Sequence, residues 1–106
     1  MVKRGEVWLT ALDSTVGSEI QKTRPCLIVS PAEIHDHLRT VIVAPMTSGS
    51  HPAGFRVPVT FQGVSGLILL EQSRALDKQR LVKRLGAVSG VVLKQTLKTM
   101  RELYEE

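Results

Sequence analysis

At 106 residues the chain has room for one domain with a single core, and not for two. Lysine and arginine total 14 against 10 acidic residues, giving a net charge of +4 and a pI near 9.6, which favours an anionic partner without identifying it. The one cysteine, Cys26, excludes an internal disulfide, and the absence of a secretory leader or any apolar run of membrane-spanning length makes a cytoplasmic protein with no membrane association the expectation.

Gly5 to Leu12 is rich in strand formers and its alternation puts Val7 and Leu9 on one face and Trp8 on the other, so the first strand is expected here. Asp13 to Lys22 follows, a polar connection long enough to suggest function and expected to be mobile until a partner binds. Pro25 to Val29 is the second predicted strand. Pro25 restrains the residue before it to extended dihedrals, so Arg24 is expected at the mouth of this strand, a rigid mount for a cation suited to phosphate. Cys26 lies within the apolar run and reads as a small buried hydrophobe.

Ser30-Pro31-Ala32-Glu33 resembles a helix start with Ser30 as N-cap and Pro31 as first helical residue. A third strand is predicted over Thr40 to Met46, then a loop from Gly49 to Gly54. In Phe55 to Phe61 the alternation puts Phe55, Val57, Val59 and Phe61 on the core face, and Pro58 argues for an edge position. Val64 to Gln72 contains Leu67-Ile68-Leu69-Leu70, a continuous apolar run that requires cover on both sides, from a helix or a second subunit. A basic, turn-containing stretch over Arg74 to Arg84 leads to a short strand around Leu85 to Val88. Ser89-Gly90 then opens a C-terminal helix, whose apolar stripe is Leu93, Leu97, Met100 and Tyr104 and whose polar face carries Lys94, Lys98 and Arg101. Short strands with one early and one terminal helix predict a mainly β, α+β protein, a small and strongly bent barrel flanked by that last helix.

Four segments together resemble the MazF/PemK-type toxins of bacterial toxin-antitoxin systems: Lys3 to Leu9, Thr23-Arg24-Pro25 with Leu27 to Val29, Ala44-Pro45-Met46-Thr47-Ser48, and Leu70 to Arg74 with Asp77-Lys78. Their order and spacing over most of the chain carry the resemblance, since each alone is a short string. It implies an SH3-like β-barrel of the CcdB/MazF kind with a C-terminal helix. The expected protein is a homodimer that cuts single-stranded RNA at short sequences without a metal or other cofactor, held inactive by a cognate acidic antitoxin.

By the same resemblance Arg24 matches a catalytic arginine, Thr47 a catalytic threonine, and Glu19 an acidic residue near the active site. The chemistry fits the trio. Attack of a ribose 2′-OH on its own phosphate builds negative charge that a fixed guanidinium stabilises, giving a 2′,3′-cyclic phosphate and a 5′-OH. A hydroxyl at Thr47 can orient the phosphate or relay a proton. Glu19 can accept the 2′-OH proton or orient Arg24, although an ordinary pKa of about 4.3 makes it a weak base unless desolvated. Lys22, Thr23, Ser48 and His51 are expected to contact RNA, together with Gln72, Arg74 and Lys78. Arg80, Lys83 and Arg84 would extend a basic stripe, with a merely solvated face as the competing account. Two departures from the family pattern stand out: Ser14 where members often have proline, and Leu69 and Glu71 where some relatives place a catalytic arginine and aspartate.

His35-Asp36-His37 has the residue types of a metal site but no third ligand at suitable spacing, in what reads as a polar surface segment. Two other function classes use the same fold: a CcdB-like poison of DNA gyrase, and a non-catalytic SH3-like nucleic-acid-binding module.

Overall fold

The computed structural model of the chain describes residues 1–12 and 22–105, so Ser14, Glu19 and the polar connection they belong to lie outside the described residues. Among the described residues the strands are β1 (Glu6–Leu12), β2 (Lys22–Ile28), β3 (Thr40–Thr47), β4 (Arg56–Phe61), β5 (Val64–Leu69), β6 (Arg74–Asp77) and β7 (Leu81–Ala87). A short helix, α1 (Ala32–His35), precedes β3, and α2 (Gly90–Leu103) ends the chain. All pairings are antiparallel, in the order β4-β5-β3-β2-β1-β7, with β6 also on β3.

β3 organises the sheet. One of its edges pairs with β2 through Val43, Ala44 and Pro45, while the other passes from β6, at Thr40 to Val43, to β5, at Met46 and Thr47. The predicted apolar run Leu67 to Leu70 is where this hand-over occurs. β5 ends at Leu69, and a 3₁₀ turn over Leu70–Gln72 carries the chain round to β6. Ile68, Leu69 and Leu70 are buried within the single chain, so the run needs no second subunit to cover it.

The bent sheet encloses apolar side chains on both faces. Val7, Leu27, Ala44, Val57 and Ile68 form one cluster, against which Val92 and Met100 of α2 pack; Cys26, Ile28, Val41, Val43 and Leu76 form the other, beside Trp8. β2 contributes to both through alternate residues, Leu27 to the first and Cys26 and Ile28 to the second, which is why the run after Pro25 is apolar without interruption. Pro58 is exposed on β4 at the sheet edge, where its missing N–H costs no ladder bond.

Several expectations need correction. Ser30 does not cap α1: Pro31 holds the N-cap position without a side-chain bond. The Ser30 hydroxyl instead accepts from the amide of Ile42 at 3.1 Å and bonds His35 Nδ1 at 2.9 Å. His35 is therefore a buried residue and not part of a polar surface segment, although Asp36 and His37 are exposed. Phe55 lies outside β4 and is 39% exposed. Strict alternation in β1 breaks because the pairing with β7 shifts register at Val7/Trp8 and again at Leu9/Thr10. In α2, Ser89 does cap, accepting from the Val92 amide at 3.2 Å, but the side chains buried most deeply are Thr96 and Thr99, while Tyr104 is 78% exposed. Each threonine hydroxyl donates to the carbonyl four residues back, at 2.8 Å, which leaves its methyl group to face the core.

Candidate active site

β2 is longer than its apolar run. It begins at Lys22, so Pro25 lies inside it and Arg24 is a strand residue opposite Thr10 of β1, not a residue at the strand mouth. Pro25 has no N–H to give, and the β2–β3 ladder stops beside it, its last pair being Cys26 with Pro45. Beyond that point β2 stays with β1 while β3 turns to β5, and the sheet parts. Arg24 and Thr47 each lie two residues beyond the Cys26/Pro45 pair, on the two strands that part.

The parting is open space. A cavity of about 260 Å³ lies there, with Arg24, Thr47 and Ser48 in its lining. The Arg24 side chain is exposed, and no carboxylate among the described residues forms an ion pair with it. Thr47 is half-buried, and its hydroxyl accepts from the amide of Gly49 at 3.3 Å, which leaves the hydroxyl proton to donate elsewhere. The close approach of β5 is made by Gly66: a Cβ there would stand 2.6 Å from the carbonyl oxygen of Thr47. Only glycine allows the two backbones to lie as they do.

The other predicted residues are distributed around this centre. Ser48 shares the cavity, and Thr23 is exposed on β2 next to Arg24. His51 is exposed, and its carbonyl accepts from Arg56 Nη1 at 2.9 Å. Gln72 lies half-buried in the 3₁₀ turn, Arg74 half-buried on β6 opposite Val43, and Lys78 half-buried in a second turn over Lys78–Arg80; none of these three lines the cavity. For Lys22 only the backbone is described, and Glu19 lies outside the described residues.

Two positions are decided by burial and pairing. Leu69, where some relatives have a catalytic arginine, is fully buried, and Glu71 receives Arg56 Nη2 at 2.6 Å. Arg84, of the expected basic stripe, donates its Nε to Glu6 at 2.8 Å and keeps a side chain 52% exposed. Burial pushes the Cys26 thiol up to about 11, against a hydrogen bond from Thr10 and the charge of Arg74, so it stays protonated and inert at neutral pH. Among the described residues no three His, Cys, Asp or Glu side chains converge as a metal site would require. Among the same residues no helix is long and apolar enough to cross a membrane.

The cavity also contains residues not expected at the site: Phe61, expected on the core face, Leu85, expected only as a strand residue, and Gln62. For Gln62 the signal was Gly63 between two apolar runs, a turn residue, although glutamine is not a usual partner for it.

Residues 3–104 match the model of the PemK-like, MazF-like toxin of type II toxin-antitoxin systems. The chain belongs to this toxin family. Among its relatives is the endoribonuclease PemK of Escherichia coli, 40% identical over 102 residues that cover 91% of this chain and 77% of that protein. In structure the toxin is similar to MazF from Deinococcus radiodurans, with a TM-score of 0.84 at 26% identity, covering 96% of this chain and 94% of the other. It is also similar to a chain in the MazE-MazF crystal structure from that organism, with a TM-score of 0.75 at 27% identity, over 96% and 93% of the two chains. The mainly β sheet with a C-terminal helix expected of a PemK/MazF-like toxin is thus the fold this chain has.

Proposed function

We propose that this toxin is an endoribonuclease that cuts single-stranded RNA at a phosphate held between Arg24 and Thr47. The observation that carries the reading is that Arg24 and Thr47, on the two strands that part beyond the Cys26/Pro45 pair, line one cavity. The ribose 2′-oxygen attacks phosphorus and the bond to the 5′-oxygen breaks. Arg24 neutralises the charge gathering on the non-bridging oxygens. Thr47, its hydroxyl fixed by the Gly49 amide, donates to the phosphate or to the departing 5′-oxygen. Glu19 is the proposed acceptor of the 2′-OH proton. No step calls on a metal. Relatives named as endoribonucleases favour this reading over gyrase poisoning or simple nucleic-acid binding.

The setting we propose is the cytoplasm, with a homodimer as the working form and an acidic antitoxin as its inhibitor. The charge of +4 supports attraction of an acidic segment into the RNA site. The half-buried Leu97 and Met100 and the exposed Leu103 of α2, with the exposed Tyr104 just after it, supply apolar surface for a second copy.

The test is a cleavage assay in EDTA with labelled RNA. Cutting is expected to persist and to leave 2′,3′-cyclic phosphate and 5′-OH ends, and replacing the 2′-OH at the cut by hydrogen is expected to block it. Cleavage of the deoxy-substituted strand, or 5′-phosphate ends, would overturn the mechanism.

A further inference from the structure

Beyond Arg24 and Thr47, the cavity is walled by Met46, Val59, Phe61, Leu67 and Leu85. A phosphate or a ribose gains nothing from an apolar wall, whereas the flat face of a base does. At about 260 Å³ the cavity is smaller than the roughly 300–1,000 Å³ of pockets that take drug-sized molecules, a scale suited to a single base.

The rim is built on an unusual backbone. β4 and β5 are joined by Gln62 and Gly63, with φ of +51° and +79°, both left-handed as a type I′ turn requires. Asparagine, aspartate or glycine is the usual choice at the first of these positions, and glutamine there is disfavoured. Its side chain supplies a reason for its presence. Nε2 of Gln62 donates to the carbonyl of Leu85 at 2.9 Å, bridging the hairpin tip to β7 at the cavity. The second amide hydrogen and the amide oxygen are left over, one donor and one acceptor. On β7, Gly86 makes room for the Phe61 ring, which comes within 3.1 Å of where a Cβ would stand.

We infer that this recess is the subsite for one nucleobase flanking the cleaved phosphate, with Phe61 and Leu85 against its face and the Gln62 amide reading its hydrogen-bonding edge. The inference rests on the RNA-cleavage reading above and adds to it a specificity-determining residue. Gln62 is exposed, so its replacement tests the subsite with little risk to the fold.

The experiment is cleavage of a randomised pool of single-stranded RNA by wild-type, Gln62→Ala and Phe61→Leu proteins, each first checked by thermal melting, followed by sequencing of the new ends. Wild-type protein is expected to favour one base at a position beside the cut. Gln62→Ala should lose about tenfold or more of that preference while the preferences at other positions stay as they were. Phe61→Leu, which keeps the wall apolar but removes the ring, should raise KM for RNA about tenfold. If wild-type protein cuts and folded Gln62→Ala protein shows the same preference at every position, the subsite assignment is wrong and the cleavage reading stands. If wild-type protein leaves the pool intact, the cleavage reading fails and the subsite falls with it.

Discussion

The guanidinium of Arg56 holds the Glu71 carboxylate with two nitrogens, Nη2 at 2.6 Å and Nε at 3.0 Å from the same oxygen, while its third nitrogen donates to the carbonyl of His51. The first residue of β4 thereby ties the loop that leaves Thr47 to the turn that follows β5. Both side chains are partly exposed, so the pair contributes little to global stability, about 1 kcal/mol or less. Its effect is expected on positioning. Arg56→Ala should melt near the wild-type temperature yet cut RNA about tenfold more slowly, because the loop after Thr47 loses its anchor. Arg56→Lys should not restore the rate, since one ammonium does not reproduce three directed donors. Melting curves beside single-turnover cleavage rates decide this, and a full-speed Arg56→Ala protein would show that the loop needs no such anchor.

Gly66 is the second positioning feature. A methyl group there would stand 2.6 Å from the backbone oxygen of Thr47, and a backbone atom cannot swing aside as a side-chain tip can. Gly66→Ala is expected to destabilise the protein by about 1–3 kcal/mol in chemical denaturation and to depress cleavage further than the stability loss explains, because Thr47 must shift. Wild-type stability in this variant would contradict the close approach of β3 and β5.

Much of the frame is legible in residue patterns for physical reasons. The apolar run after Pro25 marks a strand buried on both faces, Pro58 marks an edge, and Ser89 marks a helix start. What escapes the patterns depends on partners distant in sequence. β6 is only Arg74–Asp77, with Leu76 as its buried side chain, too short for alternation to register. Thr96 and Thr99 read as polar until their hydroxyls are seen to be satisfied within the helix. His35 reads as surface until Ser30 is seen bonded to it. The same holds at the site: Arg24 and Thr47 stand out separately through their motifs, but that they line one cavity depends on where β2 and β3 part beyond the Cys26/Pro45 pair, which no local pattern reveals.

Glu6 sets an acid limit on stability. Burial raises its pKa, but hydrogen bonds from Trp8 Nε1, Arg84 Nε and the Lys3 amide, together with the Arg84 charge, outweigh burial and hold the carboxyl below its ordinary value. A carboxylate depressed by folding contributes stability that is fully present above its unfolded pKa, about 4.3, and is lost as pH falls through the lower folded value. Wild-type protein should therefore lose stability progressively below about pH 4.3. Glu6→Gln should be less stable by about 1–3 kcal/mol at neutral pH and should show a flatter profile over the acid range. Equal acid slopes for the two proteins in denaturant titrations would mean that Glu6 is not the group responsible.

The reaction itself makes the sharpest demand on Arg24 and Thr47. Arg24 is exposed and Thr47 half-buried, so replacing either should leave folding within about 0.5 kcal/mol, and losses of activity can be read as losses of chemistry. Arg24→Ala should lower kcat about 10²-fold or more, and Arg24→Lys should recover little, because a point charge does not match two phosphate oxygens as a planar fork does. Thr47→Ser retains the hydroxyl and should cut well, whereas Thr47→Val, of nearly the same shape, should not. If the two side chains grip one phosphate, the double variant Arg24→Ala/Thr47→Val should be far less impaired than the product of the single effects predicts. Independent, multiplying losses would place the two residues on different groups of the substrate, and a folded Arg24→Ala protein that cuts at the wild-type rate would remove Arg24 from the reaction.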